Sequence, residues 1–553
     1  MYTDKKNVLQ LAALLKTYGI KQIVLSPGSR NSPLSHTFAA EPFFICHSVV
    51  DERSSAFYAL GLIQAISEPV AVCCTSGSAA LNFAPAVAEA FYQQIPLLVI
   101  TADRPESQIG QMLGQTLPQA GLFNTLVKKA VHLPEISNAE DEWFCNRLIN
   151  EAIQALEHNG KGPAHINIPL SEPLFNFTTE ALPDVRKINN CRCTKQFENN
   201  NYTERFRKYN KRMIIVGQFP PSEELKIQLG ILANKKKCVV LCEHLANLHE
   251  AAFINNFDEV LKTIFPEERQ QYRPELLITL GGHVVSKRVN KFIREYPPYE
   301  HWHISESGDI VDTYRVLTDI IEYDAASFLH TITGHSSDAA EDDLSFTTQW
   351  KQASDRTPMH HPECPEEEAV QMLLQSIPEN SSLHLANSSS VRYAQLYPLH
   401  HTIHVFCNRG TNGIEGSLST AVGYAAASER QTFLFIGDLS FFYDMNGLWN
   451  RQLNNKLRIF LINNGCGRIF HTLKGLNQSE ALDDYIAAAH HTTAKGWAES
   501  LGITYLSASD QTELKKQIPA FIDKNSSNPI LFEYFPEKKK SEEKKSVISK
   551  SDN

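Results

Sequence analysis

The chain has 553 residues, 42% hydrophobic and 21% charged, an ordinary globular composition with room for about three or four domains. Its 52 Lys and Arg against 62 Asp and Glu leave a formal charge of −10, which argues against a generic nucleic-acid-binding surface. No apolar run reaches the roughly 20 residues of a membrane-spanning helix, which argues against membrane insertion.

Residues 1–20 form a mixed amphipathic stretch with lysines rather than a signal sequence, so the chain reads as cytoplasmic. Eleven scattered cysteines, with Cys73 and Cys74 adjacent in an apolar run, argue for reduced thiols and against a disulfide framework. Cys191-x-Cys193 and Cys238-x₃-Cys242 lack matching partners at zinc-site spacing. The histidine pairs beginning at His360, His400 and His490 read as surface or loop residues.

From residue 1 to about 178, short apolar runs at 23–25, 70–75, 97–101 and 165–168 alternate with helical spacing over 52–66 and 79–92. Such alternation predicts a parallel sheet covered on both faces. Ser76-Gly77-Ser78 lies between a run and a helix, as either a helix cap or an anion-facing turn. Asp51-Glu52, read alone, is an acidic helix start favoured by the macrodipole. Residues 179–212 are polar and read as a linker. A second α/β unit spans 213–337, with strands expected at 213–216, 239–242, 276–280 and 301–304. No G-x-G-x-x-G follows a strand and no Walker-type G-K-[ST] occurs. Residues 338–365, acidic and then rich in His and Pro, read as a second linker.

The third unit, 366–536, carries strands expected at 383–385, 404–407, 432–436, 457–462, 503–506 and 530–534. Gly410-x-x-Gly413-x-x-Gly416 precedes a helix rich in small residues. Gly437-Asp438-Leu439-Ser440 ends one apolar strand, and Asn463-Asn464-Gly465 ends the next. Asp438 and Asn464 therefore stand at the carboxyl ends of neighbouring parallel strands, where open α/β sheets bind ligands. A carboxylate and an amide oxygen suit Mg²⁺, which shares its shell with water and phosphate oxygens. The tail, 537–553, is a lysine- and glutamate-rich stretch expected to be disordered. The fold class is α/β, with three doubly wound parallel-sheet domains and no sequence repeat between them.

These stretches resemble thiamine-diphosphate enzymes of the pyruvate-decarboxylase and acetolactate-synthase type. Within that group the chain is similar to the 2-succinyl-5-enolpyruvyl-6-hydroxy-3-cyclohexene-1-carboxylate synthase family of menaquinone biosynthesis. The resemblance covers all but the tail. It is carried by Ser26-Pro27-Gly28-Ser29-Arg30-Asn31-Ser32-Pro33-Leu34, Asp51-Glu52-Arg53-Ser54, Thr75-Ser76-Gly77-Ser78 and Thr101-Ala102-Asp103-Arg104-Pro105. It continues through Asn408-Arg409-Gly410, Gly413-Ile414-Glu415-Gly416, and the Asp438 and Asn464 motifs.

The resemblance implies decarboxylation of 2-oxoglutarate on thiamine diphosphate and addition of the succinyl carbanion to isochorismate. It implies Glu52 as the carboxyl group against the aminopyrimidine, with Arg392 and Arg409 also catalytic. Asp438, Asn464 and the Cys466 carbonyl would hold Mg²⁺ (or Mn²⁺). Ser76, Gly77, Ile414, Gly437, Leu439, Ser440 and Ile469 would meet the cofactor. Ser388, Arg392 and Arg409 would hold the succinyl carboxylate. Ser29, Arg30, Arg104, Gln115 and Lys287 would receive isochorismate, beside an apolar wall of Phe470 and Leu473. Cys466 and Gly114 depart from the more usual Gly and Asn. The same resemblance implies active sites between chains, in a homodimer or homotetramer. Another thiamine-diphosphate decarboxylase or carboligase of the acetolactate-synthase type is the alternative.

Overall fold

The computed structural model describes residues 1–190, 201–235, 237–334 and 344–536. Three parallel sheets follow one another along the chain. The first contains β1 (Gln22–Leu25), β2 (Ile45–Ser48), β3 (Val70–Cys74), β4 (Leu97–Asp103), β5 (Lys129–His132) and β6 (Ala164–Pro169), in the order β2-β1-β3-β4-β6-β5. The middle sheet contains β7 (Arg212–Val216), β8 (Val239–Cys242), β9 (Leu276–Leu280), β10 (Glu300–Ile304) and β11 (Asp319–Ile321), in the order β11-β10-β9-β7-β8. The third contains β12 (Ser382–Leu385), β13 (His404–Cys407), β14 (Thr432–Gly437), β15 (Leu457–Ile462), β16 (Thr504–Ala508) and β17 (Ile530–Tyr534), in the order β13-β12-β14-β15-β17-β16. Counted from its own first strand, the third sheet repeats the connectivity of the first, a repeat that the residues themselves do not display.

The central strands β3, β4, β14 and β15 are buried along almost their whole length, as continuous apolar runs between two helical layers must be. Three strands depart from the expected set: β2, β5 and β11 were not signalled by an apolar run. Each lies at the edge of its sheet and buries one residue of its few, so no apolar run announces it. Parts of both expected linkers are structured. Helix Tyr202–Lys208 buries Phe206, and helix Ser345–Arg356 buries Phe346 and Trp350, all against the middle sheet. Cys191, Cys193, Asn199, Asn200, Asp338 and the 537–553 tail lie outside the described residues.

The N- and C-terminal domains share one apolar core, running from Val24, Phe57 and Leu60 to Leu418, Val422 and Ile436. Its axis is the contact between helix Glu52–Ile66 and helix Ser417–Ala427. A Cβ on Gly61 would lie 2.0 Å from the Thr420 carbonyl oxygen, and one on Gly423 would lie 2.0 Å from the Tyr58 carbonyl oxygen. Backbone touches backbone at both points, which only glycine permits.

Gly423→Ala is therefore expected to cost about 1–3 kcal/mol through overpacking, read as a lower urea midpoint at unchanged slope. Gly230, within helix Glu223–Asn234, has only the Asn234 amide at 4.0 Å from its would-be Cβ. Gly230→Ala should leave the midpoint unchanged or raise it, since alanine favours helix.

Candidate active site

Both outer sheets reverse direction between their first and third strands, and an open α/β sheet leaves its crevice at such a point. In the C-terminal domain this lies beyond β12 and β14. Asp438 opens a short helix there; its Oδ1 accepts from Leu439 N at 2.7 Å and its Oδ2 from Gly465 N at 2.8 Å. The carboxyl group is buried, and desolvation raises its pKa against the pull of those N–H groups and of His490, whose Nε2 stands 3.5 Å away. A Cβ on Gly437 would meet nothing within 4 Å. A desolvated carboxylate beside open space is a favourable place for a cation.

Asn464 Nδ2 donates to Glu366 Oε1 at 3.4 Å, while its Oδ1 accepts from Cys466 N at 3.3 Å. Glu366 is buried, and its Oε1 also accepts from Arg468 Nη1 at 2.6 Å. The Cys466 carbonyl accepts from Arg468 N at 2.9 Å. Among the described residues no three His, Cys, Asp or Glu side chains form a metal cage. Asp438, the Asn464 amide oxygen and a backbone carbonyl instead form a partial hard-oxygen set, which fits a Mg²⁺ completed by water and phosphate. Ser440 Oγ donates to the Ile414 carbonyl, and the Ile414 side chain is 42% exposed. Ile469 and Phe470 are half-buried and Leu473 is exposed, just after the Asn463-Asn464-Gly465 turn.

Past β12, Ser388 takes a φ of +70° and begins helix Ser389–Gln395. Arg392 Nη1 and Arg409 Nε are buried with no hydrogen-bond partner. Arg409 Nη1 donates to Asn387 Oδ1 at 3.1 Å. Burial, and then the charge of Arg409, lower the Arg392 pKa. Two guanidinium groups held within electrostatic range of each other, each with an unused buried donor, have the chemistry that a carboxylate could satisfy.

The N-terminal crevice lies beyond β1 and β3. Gly28 packs on Thr75, where a Cβ would fall 2.3 Å from the threonine Cβ. Gly77 N donates to Gln119 Oε1 at 2.7 Å, and a Cβ on Gly77 would lie 3.0 Å from Gln115 Cα. Ser76 is buried, whereas Ser29 and Gln115 are exposed. Arg104 Nε donates to the Gly114 carbonyl at 3.0 Å, so Arg104, Gln115 and Gly77 form one group. Arg30 is buried; it donates to the Leu170 carbonyl at 2.8 Å and pairs with Glu172 at 2.9 Å. Asp51 caps its helix by accepting from Ser54 N at 3.1 Å, and it also accepts from Asn446 Nδ2 at 2.9 Å. Glu52 follows it, half-buried, its pKa raised first by desolvation and also by the charge of Asp51. Lys287 is exposed at the start of helix Lys287–Glu295 in the middle domain. The preceding Val285 and Ser286 donate backbone N–H groups to Glu243, which lies within electrostatic range of Arg409.

The tertiary structure thus gathers Gly77, Arg104 and Gln115 in one place, and Asp438, Asn464 and Cys466 in another. Among the described contacts none joins Glu52 to Asp438 or Asn464. His360 and His490 lie in loops, as expected, but not at the surface: His490 faces Asp438, and His360 is nearly buried against Glu367 and Glu259. Gln119, Glu366 and Glu89 escaped the sequence reading as well. Glu89 left one trace, a lone acid in the otherwise uncharged helix Ala84–Gln93.

Comparison with known proteins agrees with this architecture. Residues 8–124 match the N-terminal thiamine pyrophosphate (TPP) binding domain of thiamine pyrophosphate enzymes, 173–385 their middle domain, and 387–533 their C-terminal TPP binding domain. A 2-succinyl-5-enolpyruvyl-6-hydroxy-3-cyclohexene-1-carboxylate synthase of Bacteroides thetaiotaomicron is 50% identical over 98% of this chain and 97% of its own length. Synthases of the same name from Phocaeicola vulgatus and Flavobacterium psychrophilum are 48% and 38% identical, over 98% and 94% of this chain and 97% and 94% of their own lengths.

The unpaired donors of Arg392 and Arg409 carry a prediction of their own. Succinate at a hundred times its dissociation constant should stabilise the protein by about 2.7 kcal/mol, seen as a raised thermal midpoint. Chloride at equal ionic strength should not, and Arg392→Gln should abolish the succinate effect.

Proposed function

The chain belongs to the 2-succinyl-5-enolpyruvyl-6-hydroxy-3-cyclohexene-1-carboxylate synthase family of thiamine-diphosphate enzymes, and on that premise we propose how its own residues divide the reaction. The enzyme decarboxylates 2-oxoglutarate and transfers the succinyl unit to isochorismate, a step of menaquinone biosynthesis. Thiamine diphosphate, when bound, supplies an acidic thiazolium carbon and a ring that stabilises the carbanion left by departing CO₂.

Glu52 holds a proton for exchange with the aminopyrimidine ring. Its raised pKa supports that role, because the carboxyl group keeps its proton closer to neutral pH than a free glutamate would. Asp438, the Asn464 amide oxygen and the Cys466 carbonyl hold Mg²⁺ (or Mn²⁺), with Gly437, Leu439 and Ser440 beside the diphosphate. Ser76 and Gly77 meet the pyrimidine end, and Ile414 and Ile469 meet the apolar middle. Ser388, Arg392 and Arg409 bind the carboxylate that 2-oxoglutarate retains after CO₂ loss. Ser29, Arg30, Arg104, Gln115 and Lys287 receive isochorismate against Phe470 and Leu473. The observation that supports this assignment is the pair of half-buried arginines beyond β12, each with one buried nitrogen, Arg392 Nη1 and Arg409 Nε, that has no hydrogen-bond partner.

The active form is a homodimer or a dimer of dimers, with Glu52 of one chain completing the Asp438 site of another. Apolar side chains left exposed around both clusters support this: Val50, Leu81, Ile414, Tyr443, Trp449 and Leu473 are each at least 40% exposed. Burying such surface favours association.

Purified enzyme with thiamine diphosphate and Mg²⁺ should consume isochorismate and release CO₂ with 2-oxoglutarate; faster turnover of pyruvate would refute the substrate assignment. Glu52→Gln is expected to reduce turnover by about 10²–10⁴-fold while calorimetry still detects cofactor binding. Asp438→Ala should instead weaken Mg²⁺-dependent cofactor binding. Co-expressing the two inactive variants should restore activity, because one site of each mixed dimer would keep both residues. Failure of complementation, with mixed dimers demonstrated, would place Glu52 and Asp438 of each site on one chain.

A further inference from the structure

Arg409 is aimed by its backbone more than by its side chain: one guanidinium nitrogen meets Asn387, and Nε has no partner. That backbone is gripped from two other domains. Glu89, fully buried in the N-terminal domain, accepts from Gly410 N through Oε1 at 2.7 Å and from both N and Oγ1 of Thr411 through Oε2, each at 2.7 Å. On the other side of Arg409, the Cys407 carbonyl accepts from Gln218 Nε2 of the middle domain at 2.8 Å and from Gln93 Nε2 at 3.4 Å. Gln218 Nε2 also donates to Gln93 Oε1 at 3.0 Å, and Gln93 Nε2 donates to Glu89 Oε1. Gly410 has no space to move inward, since a Cβ there would lie 2.8 Å from the Glu89 carbonyl oxygen.

We propose that Glu89 and Gln218 are positioning residues that preset the Cys407–Thr411 loop, and with it Arg409, for the carboxylate of the 2-oxo acid. This rests on the reading that Arg409 binds that carboxylate. Simple interdomain adhesion would be served by apolar contact. Here a buried carboxylate instead collects three donors from the two residues following Arg409, and an amide from the middle domain clamps the residue two before it. Each bond is directional, so the loop has one well-defined register relative to all three domains.

The test is steady-state kinetics with saturating cofactor and Mg²⁺ on Glu89→Gln, Gln218→Ala, Arg409→Gln and the double variant Glu89→Gln/Arg409→Gln. Gln at 89 turns an amide N–H₂ toward backbone donors, and Ala at 218 removes one donor. Both should raise the KM for 2-oxoglutarate, Glu89→Gln by about 10- to 100-fold, with the KM for isochorismate and the cofactor affinity unchanged. The double variant should be no worse than Arg409→Gln alone, because residues acting through one another are not additive. If Arg409→Gln raises that KM while Glu89→Gln and Gln218→Ala alter only the thermal midpoint, the network is adhesion alone and the proposal falls. An unchanged KM in Arg409→Gln would overturn the reading beneath it. Should Glu89→Gln fail to fold, Gln218→Ala decides the question by the same separation of KM from stability.

Discussion

Two helices meeting backbone to backbone hold the catalytic framework together. Helix Glu52–Ile66 and helix Ser417–Ala427 approach so closely at Gly61 and Gly423 that any side chain there would strike a carbonyl. The contact fuses two domains into one apolar core and sets the angle at which each presents its crevice. It also fixes the start of the Glu52 helix, where Asp51 reaches Asn446 and Arg53 donates to the Tyr443 carbonyl. Glu52 is thereby held beside its own C-terminal domain without joining that domain's Asp438 cluster in the described contacts.

Around this axis, buried carboxylates tie segments together by collecting N–H and O–H groups. Glu89 gathers donors from Gly410 and Thr411, Glu243 from Val285 and Ser286, and Asp444 from Ser419 N and Oγ. Burial pushes the Glu243 carboxyl up to about 7 and Asp444 to about 6, so desolvation outweighs the donors at both. Such groups are costly to bury and directional once satisfied. Adhesion by apolar contact would tolerate sliding, whereas these bonds define one register. The loops held in this way carry Arg409 and precede Lys287.

Legibility followed burial. Strands covered on both faces, such as β14 and β15, stood out as unbroken apolar runs, and the motifs at their ends were therefore placed correctly. The edge strands β2, β5 and β11 bury too little to leave a pattern. Helix Ser345–Arg356 was hidden in a polar stretch because two residues, Phe346 and Trp350, supply its buried contact. His490 is a loop residue, as it reads in the sequence, but nothing local announces that the fold brings it to Asp438.

The sequence alone determined the three α/β units, the family resemblance, and the candidate chemistry of Glu52, Asp438, Asn464 and the arginines, because strand-end motifs and apolar periodicity are local properties. Only the tertiary structure decided that the first and third sheets share one connectivity and that Gly61 and Gly423 are contact points. It likewise revealed Arg392 and Arg409 as neighbours with unused donors, and Glu89 and Gln218 as the groups gripping the Arg409 loop. These facts depend on which backbone atoms meet across domains. A chain written in one dimension carries the residues for such contacts but not the distances between them.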